Sequence, residues 1–268
     1  MSSKANHSHG LVPSLDRAFE ILDYITINTQ AMTAAEIAKK LALPRSSVYN
    51  ILQSMLQKGV LFKDTENRFY LGSYLLYWAG KFEDQQDVIK LFKELIHYHP
   101  SLLEYTVTLS TLDRQTGDVV FLDCYTSPSP LGFNFRAGVR VPAIFSASGK
   151  AMVSTLSMNE IKAMYNEGLP TPITTSGVND YANLQKEIDS IKSCRISLDN
   201  GQLREGMFCI GTYIRNKSGR SIAGIAISFL KTEYEAKQAE VAPALIALAE
   251  QIESRLGVLI KRPEDHRF

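Results

Sequence analysis

Cysteine is scarce in this chain: Cys124, Cys194 and Cys209 are the only three in 268 residues. They lie too far apart for zinc-finger spacing and are too few for a disulfide framework, which points to a reducing compartment. Long apolar runs are missing as well. No stretch reaches the roughly 18 residues that a membrane span needs, and the N-terminal MSSKANHSHGLVPS lacks the apolar segment of a secretory signal. An excess of one charge is also absent, with 29 basic against 28 acidic residues and a net charge of +1. The chain is no polycation, so any nucleic-acid binding has to come from local arrangement. What is present, 45% apolar and 21% charged residues, suits a folded globular protein and argues against disorder or a fibrous repeat. At about 150 residues per domain the length fits two domains. The expectation is a cytoplasmic two-domain protein.

Residues 1–12 read as a disordered polar tail, in which His7 and His9 belong to a mobile arm rather than a metal site. From Ser14 to Asn28, Leu15, Phe19 and Leu22 recur at helical spacing. Thr33 stands three residues before Glu36, the spacing of a capping box, so a second helix starts at Thr33 with Ile37, Ala38 and Leu41 on one face. Pro44 disfavours helix at Leu43. A third helix then opens at Pro44 or Arg45, turns Val48, Ile51, Leu52, Met55 and Leu56 inward, and stops before Gly59. Val60–Phe62 and Arg68–Leu71 flank the turn-rich Asp64–Asn67 as a hairpin. Helix, tight turn, helix and hairpin in about sixty residues make a winged helix-turn-helix, whose second central helix projects toward a groove.

Helical text continues from Leu75 to about Tyr98, and its most polar point, Asp84–Asp87, marks the domain hinge. Beyond it, Tyr105–Leu109 and Val119–Leu122 read as strands. Ala147–Leu156 is helical, Ser157–Glu160 is a second capping box, and Leu184–Cys194 is a further helix. Met207–Ile214 and Ser221–Phe229 form a hairpin, and Thr232–Glu235 caps a final helix reaching about Leu259. This half is α+β, an antiparallel sheet with helices packed on it. The expected domains are 13–73 (winged helix), 74–86 (helical linker) and 87–260 (ligand binding), with a second tail over 261–268.

On the third helix the outward residues are Arg45, Ser46, Ser47, Tyr49, Asn50 and Gln53. Arg45 can fork onto guanine or a phosphate, Asn50 and Gln53 can pair with adenine, and the serines suit phosphates. Arg17 on the first helix and Lys63, Asn67 and Arg68 on the hairpin complete the nucleic-acid candidates. From 13 to 72 there are seven basic and six acidic residues. That thin supply favours a dimer reading two half-sites.

Catalytic motifs do not assemble. Phe145-Ser-Ala-Ser-Gly-Lys-Ala151 lacks the first glycine of a P-loop and the hydroxyl that follows its lysine. It also lacks Ser-x-x-Lys spacing, because Ala147 sits three before Lys150. His97 and His99, two apart at a helix end, point different ways, and Cys209 reads as a small core residue. No enzyme, metal or cofactor is expected. Ser146–Gly149 opens a helix after an apolar strand, so its free N–H groups can hold a carboxylate, with Asp199 and Met207–Cys209 facing it.

Several segments together resemble the IclR (isocitrate lyase regulator) family. These are Ser14-Leu-Asp-Arg-Ala-Phe-Glu-Ile-Leu22, Ala35-Glu-Ile-Ala38, Leu43-Pro-Arg-Ser-Ser-Val-Tyr49 and Gly72 after Arg68–Leu71, followed by Gly138–Pro142, Ser146–Ala151 and Gly206–Ile210 in the family's order. The resemblance, over roughly 13–258, implies a bacterial transcription regulator, more often a repressor, with a winged helix-turn-helix joined by a helical linker to a GAF-like α+β effector domain. It implies a dimer or tetramer on operator DNA and a small organic-acid effector. The matching pocket positions are Phe133, Val141, Ala147, Ser148, Asp199, Met207, Cys209, Ala226 and Ser228. Asn200-Gly201-Gln202 departs from a commonly acidic stretch, and Tyr213 from a small residue followed by proline. The competing reading is an enzyme or protein-binding sensor that uses the winged helix as an interaction module.

Overall fold

The computed structural model describes residues 12–28, 30–84, 87–129 and 135–258. Phe133, His7, His9 and Leu259 lie outside them, as does the whole 261–268 tail. The chain divides into two compact units, 1–85 and 86–268.

In the first unit, α1 (Pro13–Ile27) is followed by a two-residue strand β1 (Met32–Thr33) and α2 (Ala34–Lys40). Thr33 forms the capping box: Thr33 Oγ1 accepts the Glu36 N–H, and Glu36 Oε2 accepts the Thr33 N–H at 2.8 Å. Ala42, at φ +53°, turns the chain, and Pro44 serves as N-cap of α3 (Arg45–Gln57). Gly59, at φ +71°, takes the left-handed conformation that ends α3. The strands β2 (Leu61–Lys63) and β3 (Arg68–Leu71) pair as the wing. β1 joins them through Met32 opposite Phe69, an edge that local sequence pattern does not reveal. Ile21, Ile37, Val48, Leu52, Leu61 and Phe69 form the core. The unit closes with α4 (Tyr74–Asp84).

The second unit starts with α5 (Asp87–Leu95) and a 3₁₀ turn at Ile96–Tyr98, where the expected helix gives out. Its strands are β4 (Thr106–Asp113), β5 (Asp118–Tyr125), β6 (Arg140–Pro142), β7 (Ser197–Asn200), β8 (Met207–Arg215) and β9 (Ser221–Leu230). They form one antiparallel sheet in the order β6-β5-β4-β9-β8-β7. The helices are α6 (Ala147–Val153), α7 (Met158–Met164), α8 (Tyr181–Cys194) and α9 (Lys231–Arg255). Ser157 caps α7 through a capping box. Asp180 caps α8, which therefore begins three residues before the expected Leu184. The last helix also begins early. β9 runs directly into α9 with Leu230 at the cap, so Thr232 falls inside the first turn instead of capping it.

Strand alternation gives the sheet two unlike faces. Val107, Leu109, Ile210, Ile225, Ile227 and Phe229 pack with α5 and α9. Register places Thr106, Thr108 and Ser110 with Cys209, Gly211, Gly224, Ala226 and Ser228 on the other face. At the end of α9, the fully buried Glu253 accepts from Arg195 Nη2 at 2.6 Å, from the Arg215 N–H at 2.8 Å and from Arg215 Nε at 3.2 Å. Replacing Glu253 by Ala takes from Arg215 its carboxylate partner and leaves Arg195 with Glu250 and the Tyr213 carbonyl alone. The expected cost is about 3–5 kcal/mol, read by urea unfolding, with Glu253→Gln losing less.

Candidate nucleic-acid interface and ligand site

α3 turns Val48, Leu52 and Met55 into the core. Its opposite face carries Ser46, Tyr49, Asn50 and Gln53 at the i, i+3, i+4, i+7 spacing of a single stripe, with Arg45 at its start. Arg45, Ser46, Tyr49 and Asn50 are exposed, and Gln53 is half-buried. Ser47 sits at the edge, where its Oγ accepts from Arg17 Nη1 at 3.2 Å. Arg17 is thus tied to α3, which fixes the first helix to the start of the third.

The wing organises itself around Asp64. Its Oδ1 accepts the N–H groups of Glu66 and Arg68, both at 2.9 Å, and its Oδ2 accepts from Tyr70. These bonds, the Arg68 N–H foremost, hold the Asp64 carboxyl below its ordinary value. Asn67, at φ +59°, makes the turn and accepts from Lys63 Nζ at 3.1 Å, while Arg68 pairs with Glu66 at 2.8 Å. Lys63, Asn67 and Arg68 are all exposed on the wing.

In the second unit, Ala147, Met207, Cys209 and Ala226 meet in one buried cluster, flanked by Phe135 and Leu203. Register sets Asp199 opposite Cys209 and Cys209 opposite Ser228, whose Oγ lies 3.3 Å from Cys209 Sγ. Six of the nine expected pocket residues therefore gather in one place. Ser148 is buried next to them and accepts from Ser110 Oγ at 2.7 Å. Val141 does not join. It lies on β6, at the opposite end of the sheet from β7, and packs with the group around Phe145. The family resemblance pointed to it, but a strand's place in the sheet is a long-range property.

The start of α6 is shorter of free donors than its sequence suggests, because Ser146 Oγ accepts the Gly149 N–H at 2.9 Å. Lys150, next to it, is fully buried. Its Nζ donates to Glu187 Oε2 at 2.6 Å and to Gln202 Oε1 at 2.9 Å. The sequence pattern singled out Lys150 and Gln202 without linking them, and it gave no sign of Glu187. The alternation of polar and apolar residues in Thr106-Val-Thr-Leu-Ser110 was the available signal for the polar face. A cavity of about 330 Å³ opens behind β7, lined by Leu198, Asn200, Glu187 and Gln202, on the side away from Asp199.

Asp199 is fully buried. Its Oδ1 accepts the N–H groups of Gln202 at 2.6 Å and Leu203 at 3.4 Å, and burial raises its carboxyl to about 6. Burial also pushes the Cys209 thiol up, so it stays neutral and unreactive. His97 and His99 do part: His97 sits edge-on to Tyr125, and His99 Nε2 lies 3.1 Å from Gln251 Oε1, so His99 is tied to α9 rather than to its own helix end. Among the described residues no helix is long and apolar enough to cross a membrane.

Comparison with known proteins gives a consistent result. A family model described as IclR helix-turn-helix domain matches residues 14–65, and one described as Bacterial transcriptional regulator IclR C-terminal matches residues 81–254. The HTH-type transcriptional regulator BhcR of Paracoccus denitrificans is 27% identical over 82% of this chain and 78% of that protein. The crystal structure of the Agobacterium tumefaciens repressor BlcR is similar with a TM-score of 0.60 and 34% identity, covering 93% of this chain and 99% of that one. An IclR homologue from Microbacterium hydrocarbonoxydans, solved in complex with 4-hydroxybenzoate, shares the fold at a TM-score of 0.72 and 19% identity, over 91% of this chain and 99% of that one.

Proposed function

The chain belongs to the IclR family, transcriptional regulators with a helix-turn-helix DNA-binding domain ahead of an α+β C-terminal domain, and on that premise we propose that it is a cytoplasmic repressor controlled by a small carboxylated metabolite. The observation that carries the reading is α3: one face closes a core while the other presents Arg45, Ser46, Tyr49, Asn50 and Gln53. Arg17, Ser47, Lys63, Asn67 and Arg68 flank that face and hold the phosphate backbone. The ligand rests against Ala147, Met207, Cys209, Ala226 and Ser228, with Asp199 and Ser148 as polar contacts. The 4-hydroxybenzoate in the Microbacterium homologue is a ligand of the same chemical kind. No step of this function calls for a cofactor.

The repressor works as a homodimer or a dimer of dimers. α4 carries Leu76, Tyr77, Trp78 and Phe82, exposed by 74%, 56%, 50% and 47%. A helix apolar on most of its circumference is stable in water only when another surface covers it, and a second copy of α4 supplies one. The ligand changes DNA affinity by binding one arrangement of the dimer better than another, a coupling of about 1–3 kcal/mol, transmitted through α4 to the spacing of the two recognition helices.

The test starts from duplexes selected by the full chain out of a random library. Arg45→Ala and Asn50→Ala should each weaken binding by about 10- to 100-fold, and binding should fall steeply with salt. A protein partner would instead give association nearly indifferent to salt. Candidate acids are then titrated against the selected duplex. An unchanged DNA affinity with a demonstrably bound acid removes the ligand-control half of the proposal.

A further inference from the structure

Two carboxylates of the second unit, Asp199 and Glu253, are fully buried, and they are treated differently. Glu253 has its oxygens covered by Arg195 and Arg215. Asp199 has Oδ1 on two backbone N–H groups, while Oδ2 has no hydrogen-bond partner among the described residues. A buried acceptor left in this condition costs stability that a single donor would restore.

The charged neighbours do not fill the gap. From α6, Lys150 faces this region, but its Nζ is engaged by Glu187 and Gln202. Glu187, from α8, is a like charge and opposes ionisation of Asp199. From β8 comes the neutral Cys209 thiol, which lies beside Ser228 of β9. Asp199 therefore belongs to the cluster of Ala147, Met207, Cys209 and Ala226 by position and yet is satisfied by none of it.

Resting on the ligand site proposed above, we infer that Asp199 is a specificity-determining residue, which takes a hydrogen bond from a neutral donor on the ligand, such as a hydroxyl, and admits a carboxylate at this end only together with a proton. A hydroxyl supplies the missing donor at no cost in charge. A second carboxylate facing Asp199 in this dry surrounding is repelled unless one of the two carries a proton, which then lies between them. The metabolite is thus a hydroxy acid with its carboxylate turned away from Asp199. The raised carboxyl of Asp199 agrees with a site that takes up a proton readily.

The test needs no knowledge of the natural effector. Asp199→Asn keeps the shape, keeps an acceptor for the Gln202 N–H and removes the charge. A carboxyl raised on folding stabilises the chain fully below its unfolded value and loses that contribution as pH rises through about 6. The full-length variant should accordingly melt higher than the parent at pH 8, by roughly 5 °C, with the difference shrinking toward pH 5. A variant that melts lower than the parent at pH 8 overturns the inference and makes Asp199 a structural anchor of the 200–203 turn. As a second arm, 5-hydroxypentanoate and pentanedioate are titrated against the parent. Pentanedioate binding should fall about tenfold per pH unit above 6 while 5-hydroxypentanoate binding holds. Equal retention of both at pH 8 overturns the inference. Operator binding and its control by an acid are measured separately, so a reversed melting result with control intact rejects only this inference.

Discussion

A chain carrying Tyr77→Asp and Trp78→Asp should bind its selected duplex about 100-fold or more weakly than the parent, with a salt dependence about half as steep. The reasoning begins with charge. Between 13 and 72 the winged helix has seven basic residues against six acidic ones. Three of the seven are already engaged within the domain, Arg68 by Glu66, Arg17 by Ser47 and Lys63 by Asn67. Such a domain releases few counterions, so on its own it holds DNA weakly. Joining two of them makes the second half-site an intramolecular event, and the gain appears without any new contact to a base. Tyr77 and Trp78 stand on α4, where Tyr77 stacks on Tyr74 at 5.6 Å and Trp78 meets Tyr74 edge-on at 5.1 Å between ring centroids. On the proposed pairing of two copies through α4, a carboxylate in that stripe splits the pair while leaving the winged-helix core of Ile21, Val48 and Leu52 untouched. Sedimentation should show the monomer, circular dichroism an unchanged helix content, and the binding isotherm a halved slope against log salt. A variant that sediments as a monomer with parental affinity and slope would refute the two-domain argument.

How much of this was legible in the chain beforehand depends on how local each feature is. The capping boxes at Thr33 and Ser157 and the stop at Gly59 are properties of four or five consecutive residues, and each is where the pattern placed it. The inward face of α3 follows from period alone. What escaped was non-local. Met32–Thr33 becomes a strand only because Phe69 and Arg68 arrive beside it. Lys150 is buried only because α8 brings Glu187 over it, and no composition rule expects a lysine inside. Val141 and Asp199 look equally plausible as neighbours of Ser146 until the strand order sends them to opposite ends of the sheet. Asp199, Met207 and Cys209, expected to face the start of α6, lie beside Ala147, Ala226 and Ser228, because β7, β8 and β9 are neighbours in the sheet.

Gly211→Val should cost the second unit about 3 kcal/mol or more and abolish the response to any acid while the winged helix still binds its duplex. The cause is space, not backbone conformation. A Cβ at Gly211 would lie 2.6 Å from the carbonyl carbon of Ala147 and 2.7 Å from the nitrogen of Ser148. Those are backbone atoms at the start of α6, which cannot swing aside as a flexible side chain would. Gly224, across the β8–β9 pair, leaves a Cβ 2.7 Å from Ser148 O, so both strands depend on glycine where the helix sits on them. All seven residues of α6 are buried and Ser197 Oγ donates to Ala147 O, so moving the helix off the sheet unseats Ala147 from the cluster around Cys209 and Ser148 from Ser110 together. Gly219 separates this explanation from the usual one. It sits at φ +78° in the β8–β9 turn with nothing within 4 Å of a Cβ, so Gly219→Ala carries only the left-handed penalty of about 1 kcal/mol. Urea unfolding of the two variants compares crowding with backbone strain directly. Equal losses at the two positions would mean that α6 yields to a side chain, and the close seating of helix on sheet would no longer account for the glycine at 211.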